Sequence, residues 1–476
     1  MPEVSMKKAV AWTAIAKYSL AIVGILFAAI LSRLLTPEQY GTVAVISVIL
    51  SLFQLFCDMG FGTAVIQDKC LTNDQINDIF SWTLYIGLAL QILFIGASFP
   101  ISTFYEDSIY VPLGIILSFS LLFNAMNMIP NAVLLKQKRF KTITIRTIVA
   151  SIISSLCTII MAYKGLGVYA LVIQSVLCAL ITLVWNELSV RLNFKLKPAF
   201  ASIKKIWGYS IYQFLAQFFN FFSRNLDNLL IGKYFSKADL GQYNKSYHLM
   251  QMPISYIPGV VGPALHPILS EHQDDPKYIY HAYLKLLKFL SLLGCFISAF
   301  LFYVANEIVV ILFGDQWHPA ILPFKILALS VWFQLATNTF GPIYLSIGKT
   351  KLMFWSVAAS CTLIVAAIII GCLMGGIVNV ASCVSVAYII NFFLSYWIMT
   401  KRGFGESFGK FLLTFWQEVV IFSVLITLPL IPLNIDNIVL LFMVKSMIIV
   451  LVYFVLLIIT KQYKHLQTLI PVRWRH

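Results

Sequence analysis

Fourteen stretches of mostly apolar residues punctuate this chain of 476 residues: 10–33, 40–61, 79–100, 111–130, 144–162, 168–187, 206–227, 239–265, 284–304, 321–343, 352–373, 377–399, 411–431 and 438–460. About 20 apolar residues carry a helix across the hydrocarbon of a bilayer. Within hydrocarbon every backbone N–H and C=O must be bonded inside the structure, which makes such runs α-helices. The first run follows Lys7 and Lys8 and continues from about Val10 to Leu34, too long for a signal-peptide core, so it reads as a retained helix. The chain is 60% hydrophobic and 11% charged, against about 25% charged residues in soluble domains. That leaves too little polar surface for a soluble enzyme, a disordered chain or a fibre. The expectation is an all-α integral membrane protein of about 14 transmembrane helices.

An even number of spans puts both termini on one side. Lys and Arg total 34 against 19 Asp and Glu, a net charge of +15. One set of flanks holds twenty-five of these cations, including Lys136, Lys138, Arg139, Lys141, Arg146, Lys195, Lys197, Lys204 and Lys205. The other holds four: Arg33, Lys164, Lys233 and Lys237. Cytoplasmic loops carry the basic excess, so both termini are placed in the cytoplasm. The charge is thus a topology signal and not a mark of nucleic-acid binding; anionic membrane lipids are the expected partners of these loops. The longest connection, 188–205, reads as a linker on the cytoplasmic face. The eight cysteines form no C-x-x-C and read as small buried hydrophobes, with no zinc site or disulfide framework.

An internal repeat organises the helices. Leu35-Thr36-Pro37-Glu38-Gln39-Tyr40-Gly41 follows the first helix, and Phe235-Ser236-Lys237-Ala238-Asp239-Leu240-Gly241 follows the seventh, 200 residues later. Six helices lie between the copies, so the halves have the same orientation: a parallel repeat about an axis along the membrane normal. This gives an N-lobe, 1–200 (helices 1–6), a C-lobe, 201–405 (helices 7–12), and 406–476 with helices 13 and 14 and a cytoplasmic tail. Two lobes around a central cavity suit alternating access.

Polar side chains in hydrocarbon are costly and face the bundle or a watery cavity. The seventh helix carries Gln213, Gln217, Asn220, Arg224 and Asp227 on one face, and the second carries Ser47, Ser51, Gln54 and Asp58. The fourth has Asn124, Asn127 and Asn131; the eighth, Lys245, His248 and Gln251; the tenth, Gln334 and Asn338. These edges either converge on a shared cavity or hydrogen-bond between helices, at about 1 kcal/mol or less per contact. Arg224 and Asp227 either neutralise each other, or Arg224 binds an anionic group while Asp227 tunes or releases it. Lys17 and Lys325 are further cations that either enter the cavity or snorkel to an interface. His248 and His266 either titrate with the local proton concentration or are satisfied hydrogen-bonders. Pro253, Pro258, Pro263 and Pro267, with Gly259 and Gly262, bend or break the eighth helix and mark a candidate gate.

Catalytic motifs are missing. Gly348-Lys349-Thr350 lacks the earlier Gly of a phosphate loop, where Ile343 stands, and ATPase activity is rejected. Glu106-Asp107 reads as a solvated loop. An antiporter for amphipathic cations would favour carboxylates in the cavity, whereas the stripes carry both signs. A polymerase or ligase would need a long outer loop with catalytic Arg or His.

Two blocks resemble a known family. Ser223-Arg224-Asn225-Leu226-Asp227-Asn228-Leu229-Leu230-Ile231-Gly232-Lys233, with Leu240-Gly241-Gln242-Tyr243-Asn244, Met252-Pro253 and Leu265-His266-Pro267-Ile268-Leu269-Ser270, is similar to the central signature of bacterial polysaccharide flippases. Ser32-Arg33-Leu34-Leu35-Thr36-Pro37-Glu38-Gln39-Tyr40-Gly41, Asp58-Met59-Gly60-Phe61-Gly62 and Ile66-Gln67-Asp68-Lys69 resemble the same group, the colanic-acid and teichuronic-acid exporter branch of the polysaccharide transporter family. The wider superfamily includes multidrug antiporters and the lipid II flippase. The resemblance implies a multi-pass bacterial inner-membrane protein that turns polyprenyl-diphosphate-linked oligosaccharide repeat units from the inner to the outer leaflet. It implies an ion gradient or membrane potential (H+ or Na+) as the energy source, no cofactor, and a polymerase and glycosyltransferases as pathway neighbours. The expected cavity residues are Lys17, Gln54, Asn127, Gln217, Asn220, Arg224, Asp227 and Lys245. Asp58, Asp227 and His248 are the ion-coupling candidates, and Pro253, Pro258 and Pro263 the gating ones.

Overall fold

The computed structural model describes residues 6–58, 60–68, 70–256 and 275–463. Among them every regular element is helical. Among the described residues, ten helices are long and apolar enough to cross a membrane, or eleven if the bent pair Asp315–Ala328 and Val331–Thr337 is one span. Three expected spans fall outside that set. Those at 206–227 and 239–265 coincide with α8 (Phe200–Tyr234) and the start of α9 (Lys237–Tyr256), whose polar stripes lower their hydropathy. That at 411–431 is divided, and its apolar part, Trp416–Leu430, is short.

The chain forms two compact units, Met1–Gly241 and Gln242–His476. The first contains α1 (Met6–Leu34), α2 (Pro37–Asp58), α3 (Phe61–Gln67), α4 (Asn73–Phe104), α5 (Tyr110–Lys136), α6 (Phe140–Tyr163), α7 (Val168–Val190), α8 and the first turn of α9. Here α4, α7 and α2 pack on α5, α1 packs on α6, and α8 lies against α2, α3 and α4. The faces turned away from the bundle are apolar. Ile15, Tyr18, Ile22, Leu26 and Ile30 recur at every third or fourth residue of α1 and are all exposed. In water such a stripe would drive association; in a bilayer it meets lipid.

Both repeat segments start their helices in the same way. The Thr36 hydroxyl accepts from the Gln39 N–H (3.3 Å) while Gln39 Oε1 accepts from the Thr36 N–H (3.0 Å). At the second copy Ser236 Oγ accepts from the Asp239 N–H (3.0 Å), and Asp239 Oδ2 accepts from the Ser236 N–H (3.3 Å). These are reciprocal capping boxes, which satisfy the orphan donors of a helix start. They also explain residues 39 and 239, two of the positions that the repeat pattern leaves variable.

The linker after α7 is strapped to α4. Lys195 Nζ pairs with Asp74 at 2.6 Å and with the buried Asp78 at 2.9 Å. The Ser202 hydroxyl donates to Asp78 at 2.9 Å, and the Lys195 N–H to Ser81 at 2.8 Å. At the other end of α4 the turn is solvated as expected, with the Glu106 side chain 83% exposed, and it is also pinned by ion pairs. Asp107 pairs with Lys237, and Glu106 with Lys233. Arg146 is also displaced from expectation. Because α6 begins at Phe140, Arg146 sits in its second turn and is 6% exposed, inside the bundle and not on a flank.

The second unit contains the rest of α9, α10 (Pro276–Tyr303), α11 (Ala305–Phe313), α12 (Ile321–Ala328), α13 (Val331–Thr337), α14 (Phe340–Ser346), α15 (Thr350–Met374), α16 (Ile377–Ile398), α17 (Phe408–Leu413), α18 (Trp416–Thr427) and α19 (Ile438–Ile459). α15 and α16 form a close hairpin, and α10 packs on α12, α13 and α18. The single helix expected at 321–343 is three short ones. The Ser330 hydroxyl bonds the Leu327 carbonyl at 2.7 Å and the Thr339 hydroxyl the Ala336 carbonyl at 2.8 Å, side-chain bonds that compete with the helical ladder at each break. A buried ion pair absent from the sequence reading, Lys445 to Glu307 at 2.7 Å, ties α19 to α11.

Candidate functional site

The site is assembled within the first unit, where α2 meets α8. The Phe56 ring packs on Phe214 and Phe218 with centroids 5.1 and 6.2 Å away, which holds the two helices in register. α2 stops at Asp58 because Gly60 takes φ 76° before α3 begins, a left-handed backbone that glycine adopts without strain. The break leaves the Asp58 carboxyl exposed at the end of the α2 polar stripe.

Between these helices lies a cavity of about 380 Å³ lined by Ser51, Gln54, Leu55, Asp58, Gln217, Phe221 and Arg224. A second, of about 300 Å³, shares Gln54 and Asp58 with it and adds Cys57, Asn124 and Met128. A third, of about 360 Å³, shares Asn124 with the second and is lined by Ser151, Ser154, Gln174, Ser175, Cys178, Ala179 and Thr182. The three follow one another through shared walls from α8, across α2 and α5, to α6 and α7. Charge is confined to the first two: Arg224 and Asp58 line them, whereas the third has only neutral polar and small side chains.

The expected site residues divide sharply. Gln54, Asp58, Gln217 and Arg224 come together, and Arg224 makes no ion pair among the described residues. Asp227 is turned away: it is 2% exposed, and its Oδ1 accepts from the N–H (2.8 Å) and the side-chain amide (3.3 Å) of Asn228. Asn127 is consumed internally. Its amide donates to the Ala179 carbonyl (3.0 Å) and its oxygen accepts from Asn186 (2.8 Å). Asn186 and Asn131 in turn accept from the Arg146 guanidinium. Asn220 belongs to α8, and Lys17, half-buried, to α1. In the second unit Lys245 is 6% exposed, with Nζ 4.8 Å from the Phe313 ring centroid and 5.3 Å from that of Trp317. His248 is exposed on the same helix, and Pro253 lies inside α9. Pro258 and Pro263 lie outside the described residues.

The third cavity is hard to discern from the pattern of apolar runs. Its signal was present as Ser151 and Ser154 on α6, and Gln174, Cys178 and Thr182 on α7, at helical spacings of three and four. Small hydroxyl and thiol side chains hardly interrupt an apolar run, so that face did not stand out.

Known proteins agree with this architecture. Residues 30–322 match the family described as polysaccharide biosynthesis protein. The chain belongs to that family. It is 24% identical over 430 residues to the teichuronic acid biosynthesis protein TuaB of Bacillus subtilis (strain 168), covering 87% of each chain. It is 23% identical over 411 residues to the lipopolysaccharide biosynthesis protein WzxC of Escherichia coli (strain K12), covering 85% of this chain and 83% of that one. Among solved structures it is similar to the lipid II flippase MurJ in an inward closed conformation, with TM-score 0.76 and 16% identity over 95% of this chain and 99% of that one. That likeness establishes the fold of this chain. The motif blocks at 32–41 and 223–233 thus identified the family correctly.

Proposed function

We propose that this chain is a flippase that carries polyprenyl-diphosphate-linked oligosaccharide repeat units from the cytoplasmic to the outer leaflet of a bacterial cell membrane, for assembly of a surface polysaccharide. One observation carries the reading: in a chain of this family, polar cavities line a unit of membrane-spanning helices and contain an arginine, Arg224, that makes no ion pair among the described residues. A diphosphate is held by a cation with several donors, and the guanidinium of Arg224 offers a fork that matches phosphate oxygens. Gln54 and Gln217 supply neutral donors and acceptors beside it. The polyprenyl tail stays in lipid while the polar head passes through the cavity. Binding and orientation are all that the chemistry demands, since no bond is made or broken, which makes the chain a transporter and not an enzyme.

The finer assignments belong to the same proposal. Lobes 1–200 and 201–405 alternate access, 406–476 contributes helices 13 and 14, fourteen spans cross the bilayer, and both termini are cytoplasmic. Asp58 shares the cavity with Arg224, so its charge state sets how strongly that cation is neutralised before the substrate anion arrives. Asp58, with Asp227 and His248, couples the cycle to an ion gradient or membrane potential. Asn220 on α8 and Lys17 on α1 are further candidates for substrate contact, Pro253, Pro258 and Pro263 are the candidates for gating, and anionic lipids hold the basic loops. Leaflet-resolved labelling of the lipid-linked glycan in cells with and without the protein tests this. Accumulation on the cytoplasmic leaflet without it supports the reading. Normal arrival at the outer leaflet, followed by failure to polymerise, would refute it.

A further inference from the structure

We infer that the third cavity, between α5, α6 and α7, is a compartment for the uncharged sugar residues of the repeat unit, separate from the diphosphate site at Arg224; this rests on the flippase reading above. Hydrogen-bonding capacity is left unspent along its wall among the described residues. Both ends of the Asn127 amide are bonded inside the bundle, as a structural amide should be. Asn124, one turn earlier on the same helix, lines the cavity and makes no side-chain hydrogen bond among the described residues. The same holds for the Ser151 and Ser175 hydroxyls across from it. Where Gln174 does bond, to Ser155 at 2.9 Å, it uses its NH₂ and keeps its carbonyl oxygen. Polar groups in a lipid-embedded bundle normally bond across helices; these instead face a volume of about 360 Å³, within the range of about 300–1,000 Å³ typical of ligand sites.

The lining identifies the ligand class. No carboxylate, cation or aromatic ring is in the wall, which argues against an ion, a diphosphate or a planar drug as the occupant. The wall offers both donors and acceptors, as a polyol requires: Asn124, Ser151 and Ser175 supply both, while the Ser154 and Thr182 hydroxyls donate to the Ser151 and Cys178 carbonyls and keep acceptor sites. Asn124 also lines the cavity that contains Asp58, so a glycan bonded to a diphosphate at Arg224 has a polar path into the compartment. A wall built to bond hydroxyls rejects a ligand that lacks them, because its own groups are then left unpaired.

The test uses the full-length protein in liposomes with two probes, polyprenyl diphosphate carrying one hexose and the same lipid carrying a neutral tetrasaccharide. Native Cys178, a wall residue, reports occupancy without any mutation. Its reaction with a water-soluble maleimide, read by mass spectrometry, should slow by about threefold or more with the tetrasaccharide lipid and stay unchanged with the hexose lipid. Filling the compartment with Ser175→Leu should cut tetrasaccharide transport by about tenfold and leave hexose transport within about twofold. Equal protection of Cys178 by both probes, or by neither, overturns the compartment. So does a Ser175→Leu protein that transports both lipids as before. If the unmodified protein moves neither lipid, it is the flippase reading that fails, and the Cys178 result still stands on its own.

Discussion

Gly41 and Gly241 stand on each other's helix starts. A Cβ on Gly41 would lie 1.8 Å from the Lys237 carbonyl oxygen, and one on Gly241 would lie 2.0 Å from that of Pro37. Positions 37 and 237 correspond in the repeat, as do 41 and 241, so the contact is reciprocal. The shared glycine of the two segments is therefore a packing requirement: only a residue without a side chain lets the two helix starts cross so closely.

Gly41→Ala and Gly241→Ala should each destabilise the folded protein by about 1–3 kcal/mol or more, since the obstructing atoms are backbone and cannot rotate away. The double substitution should cost less than the sum, because the first already parts the crossing. Thermal unfolding in detergent measures both effects. A neutral Gly41→Ala would mean that the crossing is not close in the folded protein.

The turn between α4 and α5 should weaken in acid. Burial alone would raise the Asp107 carboxyl, but its bonds to Lys237 and the Ile109 N–H outweigh this and hold it below the ordinary aspartate value. Stability from this group is then present above about pH 3.9 and is lost as pH falls through the lower folded value. Hydrogen exchange in the segment 105–110 should be slow near neutral pH and accelerate only in strong acid. In Asp107→Asn it should be fast throughout.

The two carboxylates that hold Lys195 should differ in weight. The Asp78 side chain is 5% exposed and also accepts from Ser202, whereas that of Asp74 is 77% exposed. Asp78→Ala should cost about 2–3 kcal/mol, since hydrogen bonds to a charged group are lost and the Ser202 hydroxyl is left buried. Asp74→Ala should cost less than about 1 kcal/mol, as for other exposed pairs. Comparison of the unfolding midpoints of the two variants decides this.

Two arginines of the first unit should give opposite phenotypes. Arg146 is buried and organises Asn131 and Asn186, so Arg146→Met leaves buried amides unpaired and should cost about 3 kcal/mol, read as lost folded yield. Arg224 lies exposed in the cavity, and Arg224→Ala should leave folding intact and abolish transport.

What the sequence made legible follows from scale. Long apolar runs dominate the energy of a membrane chain, so most spans and the family could be read directly, as could Gln54, Asp58, Gln217 and Arg224, whose polar groups interrupt those runs. The missed features turn on where one side chain points. Arg146 looks like a flank residue until α6 is seen to start at Phe140. The pairing of Asp107 is hidden until Lys237 is brought to it by the α8–α9 turn. The breaks at Ser330 and Thr339 come from single hydroxyls that capture local carbonyls. Asn124 and Asn127 are the same residue type one turn apart, and only packing decides that one is spent and the other open.

The most direct test is transport of polyprenyl diphosphate hexose by the purified protein in liposomes, with leaflet-specific labelling, for the unmodified chain, Arg224→Lys and Arg224→Ala. The account predicts transport by the unmodified chain, partial transport by Arg224→Lys, which keeps the charge but not the fork, and none by a folded Arg224→Ala. Undiminished transport by Arg224→Ala would contradict the role of this arginine, and no transport by the unmodified chain would contradict the flippase itself.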